Sequence, residues 1–169
     1  MTRTDHIDRH RNWIAALLVA LGAPQALIGL WALLAPQSFY DDFGPGGGWV
    51  SALGAYDEHL VRDVGGLFVG LGVLMIVAAV RGRRSLTLTA VAVWLIFAVP
   101  HLIYHVLNLG PYTTADAIAN AVSLGWTVLA PIIVLLLLRP PATERTAAAG
   151  ADGMRIAGAG DGGGGPSAR

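Results

Sequence analysis

Five ionisable side chains fall within or beside two long apolar stretches of this sequence, and their spacing places them on shared helix faces. His59 and Asp63 are four positions apart, and so are His101 and His105, while Arg62 stands next to Asp63. Residues four positions apart on an α-helix lie one above the other on the same face. Ionisable groups inside long apolar segments are costly and are usually functional. We therefore treat these five residues as the candidate ligand site and refer to them as the polar cluster.

Two interpretations of the polar cluster depend on its charges as ion pairs or on its nitrogen atoms as metal ligands. In the first, Asp63 pairs with Arg62 or with a protonated histidine, and the cluster is a structural clamp between two helices. In the second, His101 and His105 have the spacing of a helical metal chelate, and His59 with Asp63 completes a set of three nitrogens and one oxygen. Such a set suits Zn²⁺, or iron or copper where coordination positions stay open.

A third interpretation is a proton relay or a pocket for a small polar ligand. Histidine titrates near neutral pH, and Asp63 would hold one of its tautomers. Asn120, Ser123 and Thr127, which lie on the last apolar stretch, are the further side chains we expect to line such a pocket. The sequence leaves all three interpretations open, since it contains no phosphate loop, nucleophile elbow or dinucleotide fingerprint that would favour a particular reaction.

Four long apolar runs must position these side chains, at residues 13–34, 60–80, 86–107 and 115–138. Each has about the 20 residues that a helix needs to cross a bilayer core, and in lipid the helix satisfies its own backbone hydrogen bonds. The mean hydropathy is +0.59 and the charged fraction is 13%, against about 25% in soluble domains. We predict an all-α fold, a four-helix transmembrane bundle over 13–138, between a cytoplasmic segment 1–12 and a disordered cytoplasmic tail 139–169.

The arginines predict the orientation of this bundle. Ten of the eleven basic residues fall in the segments before the first run, between the second and third runs, and after the fourth. They are Arg3, Arg9, Arg11, Arg81, Arg83, Arg84, Arg139, Arg145, Arg155 and Arg169. Because positive residues concentrate on the cytoplasmic side, both termini are predicted to be inside. The polar cluster then lies at the outer ends of the second and third helices of a multi-pass protein in a bacterial plasma membrane.

Composition narrows the partners and the chemistry. The formal net charge is zero, which argues against nucleic acid as a partner, and there is no cysteine, which excludes disulfides and thiol redox chemistry. The lipid bilayer is the predicted partner, with other membrane subunits or a homo-oligomer beside it. Gly66 and Gly70, four positions apart, are predicted to let two helices of one chain pack closely, and a contact between two chains of a dimer is the alternative.

The segments FYDDFGPGGGWVSALGAYDEHLVRDVG and PHLIYHVLN resemble small integral membrane proteins of actinobacteria whose function is unknown. In helix number and glycine-rich helices, the chain also resembles the DoxX-like four-helix membrane proteins. That second resemblance implies a connection to quinone or redox chemistry, and it transfers no site residue to this sequence.

These observations favour a structural or accessory membrane subunit that carries the polar cluster. A metal- or quinone-linked redox protein and a small oligomeric transporter are the alternatives. The sequence names no reaction and no cofactor, so it leaves enzymatic activity open.

The predicted orientation can be tested by thiol labelling, since the chain has no native cysteine. A cysteine introduced as Ser51→Cys should react with a membrane-impermeant thiol reagent in intact cells, whereas Ser85→Cys should react only after the cells are opened. The reverse pattern would show that the cytoplasmic and external sides are exchanged.

Overall fold

The computed structural model describes residues 3–139, and these residues are helical without any strand. The elements are α1 (Arg3–Leu34), α2 (Pro36–Asp42), a 3-10 helix (Ser51–Leu53), α3 (Glu58–Arg81), α4 (Arg84–Leu107) and α5 (Thr114–Leu137). The predicted four long helices are confirmed, and their bounds agree to within two residues except at the start of α1, which begins at Arg3. The predicted disordered tail lies outside the described residues beyond Arg139.

Four of these helices are long and apolar enough to cross a membrane: His10–Leu34, Glu58–Arg81, Arg84–Leu107 and Thr114–Leu137. Their outward faces carry large apolar side chains that no other part of the described chain covers, including Leu27, Val80, Ile96, Leu107 and Val122. An aqueous surface rarely carries apolar patches of this extent. The chain is therefore a multi-pass membrane protein, and lipid covers these faces.

The helices α1 and α3 make the most extensive contact in the bundle, and α4 with α5 makes the next. Paired glycines bring α1 and α3 together. A Cβ atom added at Gly72 would lie 2.5 Å from the carbonyl oxygen of Gly22, and one added at Gly65 would lie 2.8 Å from the carbonyl oxygen of Gly29. At these four positions the two backbones touch, so the contact requires residues without a side chain.

The prediction that Gly66 and Gly70 pack two helices of this chain together is wrong. A Cβ atom added at either position would meet nothing within 4 Å. The neighbouring Gly65 and Gly72 take this role instead, because α3 is rotated so that they, and not Gly66 and Gly70, face α1.

Residues 35–57, which we call the cap segment, lie at the end of the bundle where α1 and α4 end and α3 and α5 begin. The short helix α2 was not predicted. It starts with Pro36, a residue whose fixed φ suits the first turn. Two side-chain hydrogen bonds with i, i+4 spacing support it, from Gln37 to Asp41 at 2.8 Å and from Ser38 to Asp42 at 3.0 Å.

Aromatic rings fix the cap segment against the end of α1. The ring of Trp31 packs edge-on against Phe39 and Phe43, with centroids 5.8 and 6.2 Å away. Phe43 in turn packs edge-on against Trp49 at 6.2 Å. Such pairs add specific geometry to the burial of apolar area. The 3-10 helix Ser51–Leu53 lies between α2 and α3 in the same segment.

The close α1–α3 contact predicts opposite effects for two adjacent glycines. Gly65→Ala should destabilise the protein by about 1–3 kcal/mol, because the new methyl group forces the two backbones apart. Gly66→Ala should be neutral or stabilising by up to about 1 kcal/mol, since alanine favours the helix and the site is open. Thermal unfolding of both variants in the same detergent would measure the difference, and equal stabilities would contradict this packing.

Candidate functional site

A cavity of about 310 Å³ lies inside the bundle, below the cap segment. Helices α1, α3, α4 and α5 all contribute to its lining, and so does the cap segment. Its aromatic lining residues are Phe39, Phe43, Trp49, Phe68, Trp94 and Phe97. Its polar lining residues are Gln25, His101, His105, Asn120, Ser123 and Thr127. The polar residues on α5 are those that the ligand-pocket interpretation named with Asp63, and the structure places them around the same cavity as the two histidines of α4.

Trp94 and Thr127 form the floor of the cavity. The side chain of Trp94 is 1% exposed, and its indole N–H donates a hydrogen bond of 2.8 Å to the backbone carbonyl of Thr127. Both residues lie thirteen positions from the cap end of their helices, which corresponds to a depth of about 20 Å at 1.5 Å per residue. The bond joins α4 to α5 and satisfies the one polar atom of a fully buried indole.

Trp49 is one of the cap-segment residues that form the roof of the cavity, and it ties the cap segment to the start of α5. Its indole N–H donates to the carboxylate of Asp116 at 3.1 Å, and its backbone carbonyl accepts from the hydroxyl of Tyr112 at 2.7 Å. Thr113 caps α5 by accepting from the backbone N–H of Asp116 at 3.2 Å. Burial raises the pKa of Tyr112, so its phenol keeps the proton that it donates.

The two histidines of α4 form one wall together with Phe97. The ring of His101 stacks on Phe97 with centroids 4.9 Å apart and an angle of 26° between the planes. The ring of His105 meets His101 edge-on at 4.5 Å. The four-residue spacing seen in the sequence therefore does bring these rings together on the face that lines the cavity.

Three lining residues carry a buried polar atom that has no hydrogen-bond partner in the described part of the chain. They are Gln25 through its Nε2 atom, Asn120 through its Oδ1 atom and His105 through its Nδ1 atom. Gln25 is 9% exposed and Asn120 is 2% exposed. A buried polar group without a partner costs about 1–3 kcal/mol. Because an amide carries a donor and an acceptor, rotation about its last bond changes which of them faces the cavity.

The rest of the polar cluster lies away from this cavity. His59 pairs with Asp63 of its own helix at 3.1 Å, and both side chains are well exposed. Arg62 pairs with Glu58 at 2.9 Å and donates a hydrogen bond to the backbone carbonyl of Leu33. Arg62 therefore connects α3 to the end of α1. The clamp interpretation had placed the contact between α3 and α4.

The metal interpretation required the two halves of the polar cluster to meet. His101 and His105 line the cavity, while His59 and Asp63 do not. Within residues 3–139, no three side chains of histidine, cysteine, aspartate or glutamate form a group that could hold a metal ion. What the cavity offers a ligand is hydrogen bonds and ring faces.

Sequence reasoning missed Gln25, Trp49 and Trp94 as site residues. Gln25 carried a usable signal, because it is a polar residue inside an apolar run, where polar side chains generally find a protein partner or a cavity. Trp49 carried none, since tryptophan near a membrane surface is commonly an interface anchor. Trp94 carried none either, because it is one of many large apolar side chains in an apolar run.

One family model matches the chain, and it is described as a domain of unknown function (DUF4345). The match covers residues 14–114, which is more than half of the sequence. It includes most of α1, the cap segment, α3 and α4 with both of its histidines, and it ends at the first residue of α5. No curated protein and no solved structure gives a significant match to the chain.

The hydrogen bond from Trp49 to Asp116 should hold the cap segment to α5, and a double-mutant cycle can measure it. Trp49→Phe keeps an aromatic ring, and Asp116→Asn keeps the side-chain shape. Each single variant should lose unfolding free energy, since hydrogen bonds to charged groups are among the stronger ones. The double variant should lose little more than either single variant. Fully additive losses would show that the two residues act independently.

Proposed function

The chain belongs to the DUF4345 family, and we propose that it is a membrane protein that binds a small organic ligand in the cavity beneath the cap segment. One observation carries this proposal: Gln25, His105 and Asn120, on three different helices, each bring an unpartnered buried polar atom to the lining of one cavity. Most of the lining is apolar. A cavity with a mainly apolar lining and a few convergent polar groups is the usual form of a small-molecule site.

The energetics favour a ligand over a purely structural role for these residues. Leaving a polar group unpartnered is costly in any buried site, and in the bilayer core the surrounding lipid offers no hydrogen bond in its place. Leucine in place of Asn120 would fill part of the space without that cost. Residues that lower stability in this way are expected where function requires them.

A structural or accessory role is the second candidate, and it concerns a different surface. Gly66 and Gly70 leave an open strip on α3, and small residues at this spacing let a helix of another subunit approach closely. In this proposal the open strip on α3 carries the accessory-subunit role predicted from the sequence, and the cavity takes no part in it. Metal- or quinone-linked redox chemistry and transport stay predictions with no comparable observation behind them.

We propose that the protein lies in a bacterial plasma membrane with the cap segment on the outer side. We also propose that its four helices are related to those of the DoxX-like membrane proteins. The distribution of arginine supports this orientation. Arg81, Arg83 and Arg84 stand at the turn between α3 and α4, at the end opposite the cap segment. The side chain of Arg11 reaches the same turn, 3.9 Å from the Cβ position of Gly82.

The variant Asn120→Leu tests the ligand-binding role with two measurements on the same protein. Thermal unfolding without ligand should show equal or higher stability, by up to about 3 kcal/mol, because a buried unpartnered group is removed. Equilibrium dialysis in lipid nanodiscs should show saturable binding of the probe 2-naphthol to the wild type and weaker binding to the variant.

A matched comparison is Thr87→Val on α4, which removes a buried hydroxyl that does have a partner, the carbonyl of Arg83 at 3.2 Å. This variant should lose stability and keep probe binding. If Asn120→Leu is instead less stable and the wild type binds no probe, the cavity is structural and the ligand-binding role is wrong.

A further inference from the structure

The volume of the cavity limits the size of its occupant. At about 310 Å³, it has about twice the volume of a 150 Å³ protein cavity known to hold one benzene molecule. An occupant of two fused or linked rings therefore fits inside the protein. A membrane lipid with two full acyl chains exceeds this volume and would extend out of the cavity.

The charges around the cavity limit the electrical character of the occupant. No aspartate, glutamate, lysine or arginine is among the lining residues. An ion brought into so apolar a site would lose its hydration, and the only titratable side chains in the lining are the imidazoles of His101 and His105. The site therefore favours a neutral molecule.

The rings around the cavity indicate what the body of the occupant is made of. The walls present Phe68 and the stacked pair Phe97 and His101, and the roof presents Phe43 and Trp49. Aromatic rings pack favourably against one another in stacked and edge-on arrangements, beyond what the buried area alone contributes. A flat aromatic body uses these faces better than a branched aliphatic one.

The unpartnered polar atoms indicate where the occupant carries its own polar groups. His105 lies two positions from the cap end of α4, Asn120 six from that end of α5, and Gln25 nine from that end of α1. At 1.5 Å per residue, the three groups span about 10 Å of depth. They also come from three sides of the cavity, so one polar edge on the ligand cannot serve them all.

From these four limits we infer that the ligand is a neutral aromatic molecule of about two rings, with hydroxyl or carbonyl oxygens on at least two separated edges. This inference rests on the proposed function and specifies the ligand class for the same cavity. The amides of Gln25 and Asn120 and the imidazole of His105 both donate and accept hydrogen bonds. Either oxygen type is therefore accommodated.

A series of naphthalene derivatives tests the inference, because its members share one ring system. The probes are naphthalene, 2-naphthol, 2,3-dihydroxynaphthalene, 2,6-dihydroxynaphthalene and 2-naphthoate, each measured by equilibrium dialysis against the protein in lipid nanodiscs. We expect the 2,6-diol to bind about fivefold more tightly than 2-naphthol, since one added hydrogen bond contributes on that order. The 2,3-diol, whose hydroxyls share one edge, should bind no better than 2-naphthol, and 2-naphthoate should not bind saturably.

Two variants at adjacent positions of α5 show whether the probes bind in the cavity. Comparing the two variants also separates binding to the protein from partition of the probe into lipid. Ser123→Phe places a ring in the cavity that Ser123 lines, and it should abolish saturable binding of every probe. Val122→Phe adds a ring at a position that is 67% exposed and outside the lining, and it should bind like the wild type.

The outcomes separate the ligand class from the proposed function. Binding that Ser123→Phe abolishes, but with naphthalene or the 2,3-diol as tight as the 2,6-diol, would overturn the two-edged aromatic ligand and leave the binding role standing. Absence of saturable binding by every probe, or equal binding by the wild type and Ser123→Phe, would overturn both.

Discussion

The contact between the backbones of α1 and α3 is the constraint on which the cavity depends. Gly22 and Gly29 on one helix meet Gly72 and Gly65 on the other, so that main chain packs directly on main chain. No side chain separates the two helices there, and they form one continuous wall. The helices α4 and α5 form a second wall, joined through the hydrogen bond between Trp94 and Thr127. The contact of α3 with α4 and that of α1 with α5 are each less extensive than the contact within either wall, and the cavity lies in the space that remains.

The cap segment bridges these two walls at one end. Its rings pack against Trp31 at the end of α1, while the hydrogen bonds of Trp49 run to Asp116 and Tyr112 at the start of α5. Tryptophan suits this position, because its ring can be buried in the roof while its N–H reaches a carboxylate at the more polar rim. The same residue thus completes the lining and connects the walls, and a change in the cap would alter the cavity below it.

The number of long helices and the pairing of His101 with His105 could be predicted, because both depend on local properties. Length and apolarity define a membrane helix, and i, i+4 spacing defines a shared face. Helix rotation could not be predicted. A soluble helix reveals its buried face through an apolar stripe, but α3 is apolar on the lipid side as well, and so the sequence did not distinguish Gly65 from Gly66. The same uncertainty left His59 and Asp63 as candidates for a cavity that α3 lines with other residues, Val64 and Phe68.

Because of the unpartnered polar atoms, the protein is less stable without a ligand than with one bound. Gln25 and Asn120 are buried without partners, and in a bilayer the cost of such groups falls on the folded state. A ligand that satisfies them binds the folded state and not the unfolded one, so it stabilises the protein by an amount that grows with the ratio of its concentration to its dissociation constant. Gln25 belongs to the α1–α3 wall and Asn120 to the α4–α5 wall. A ligand that satisfies both groups therefore joins two walls that are each held together by their own contacts, and its binding energy stabilises the packing of one wall against the other.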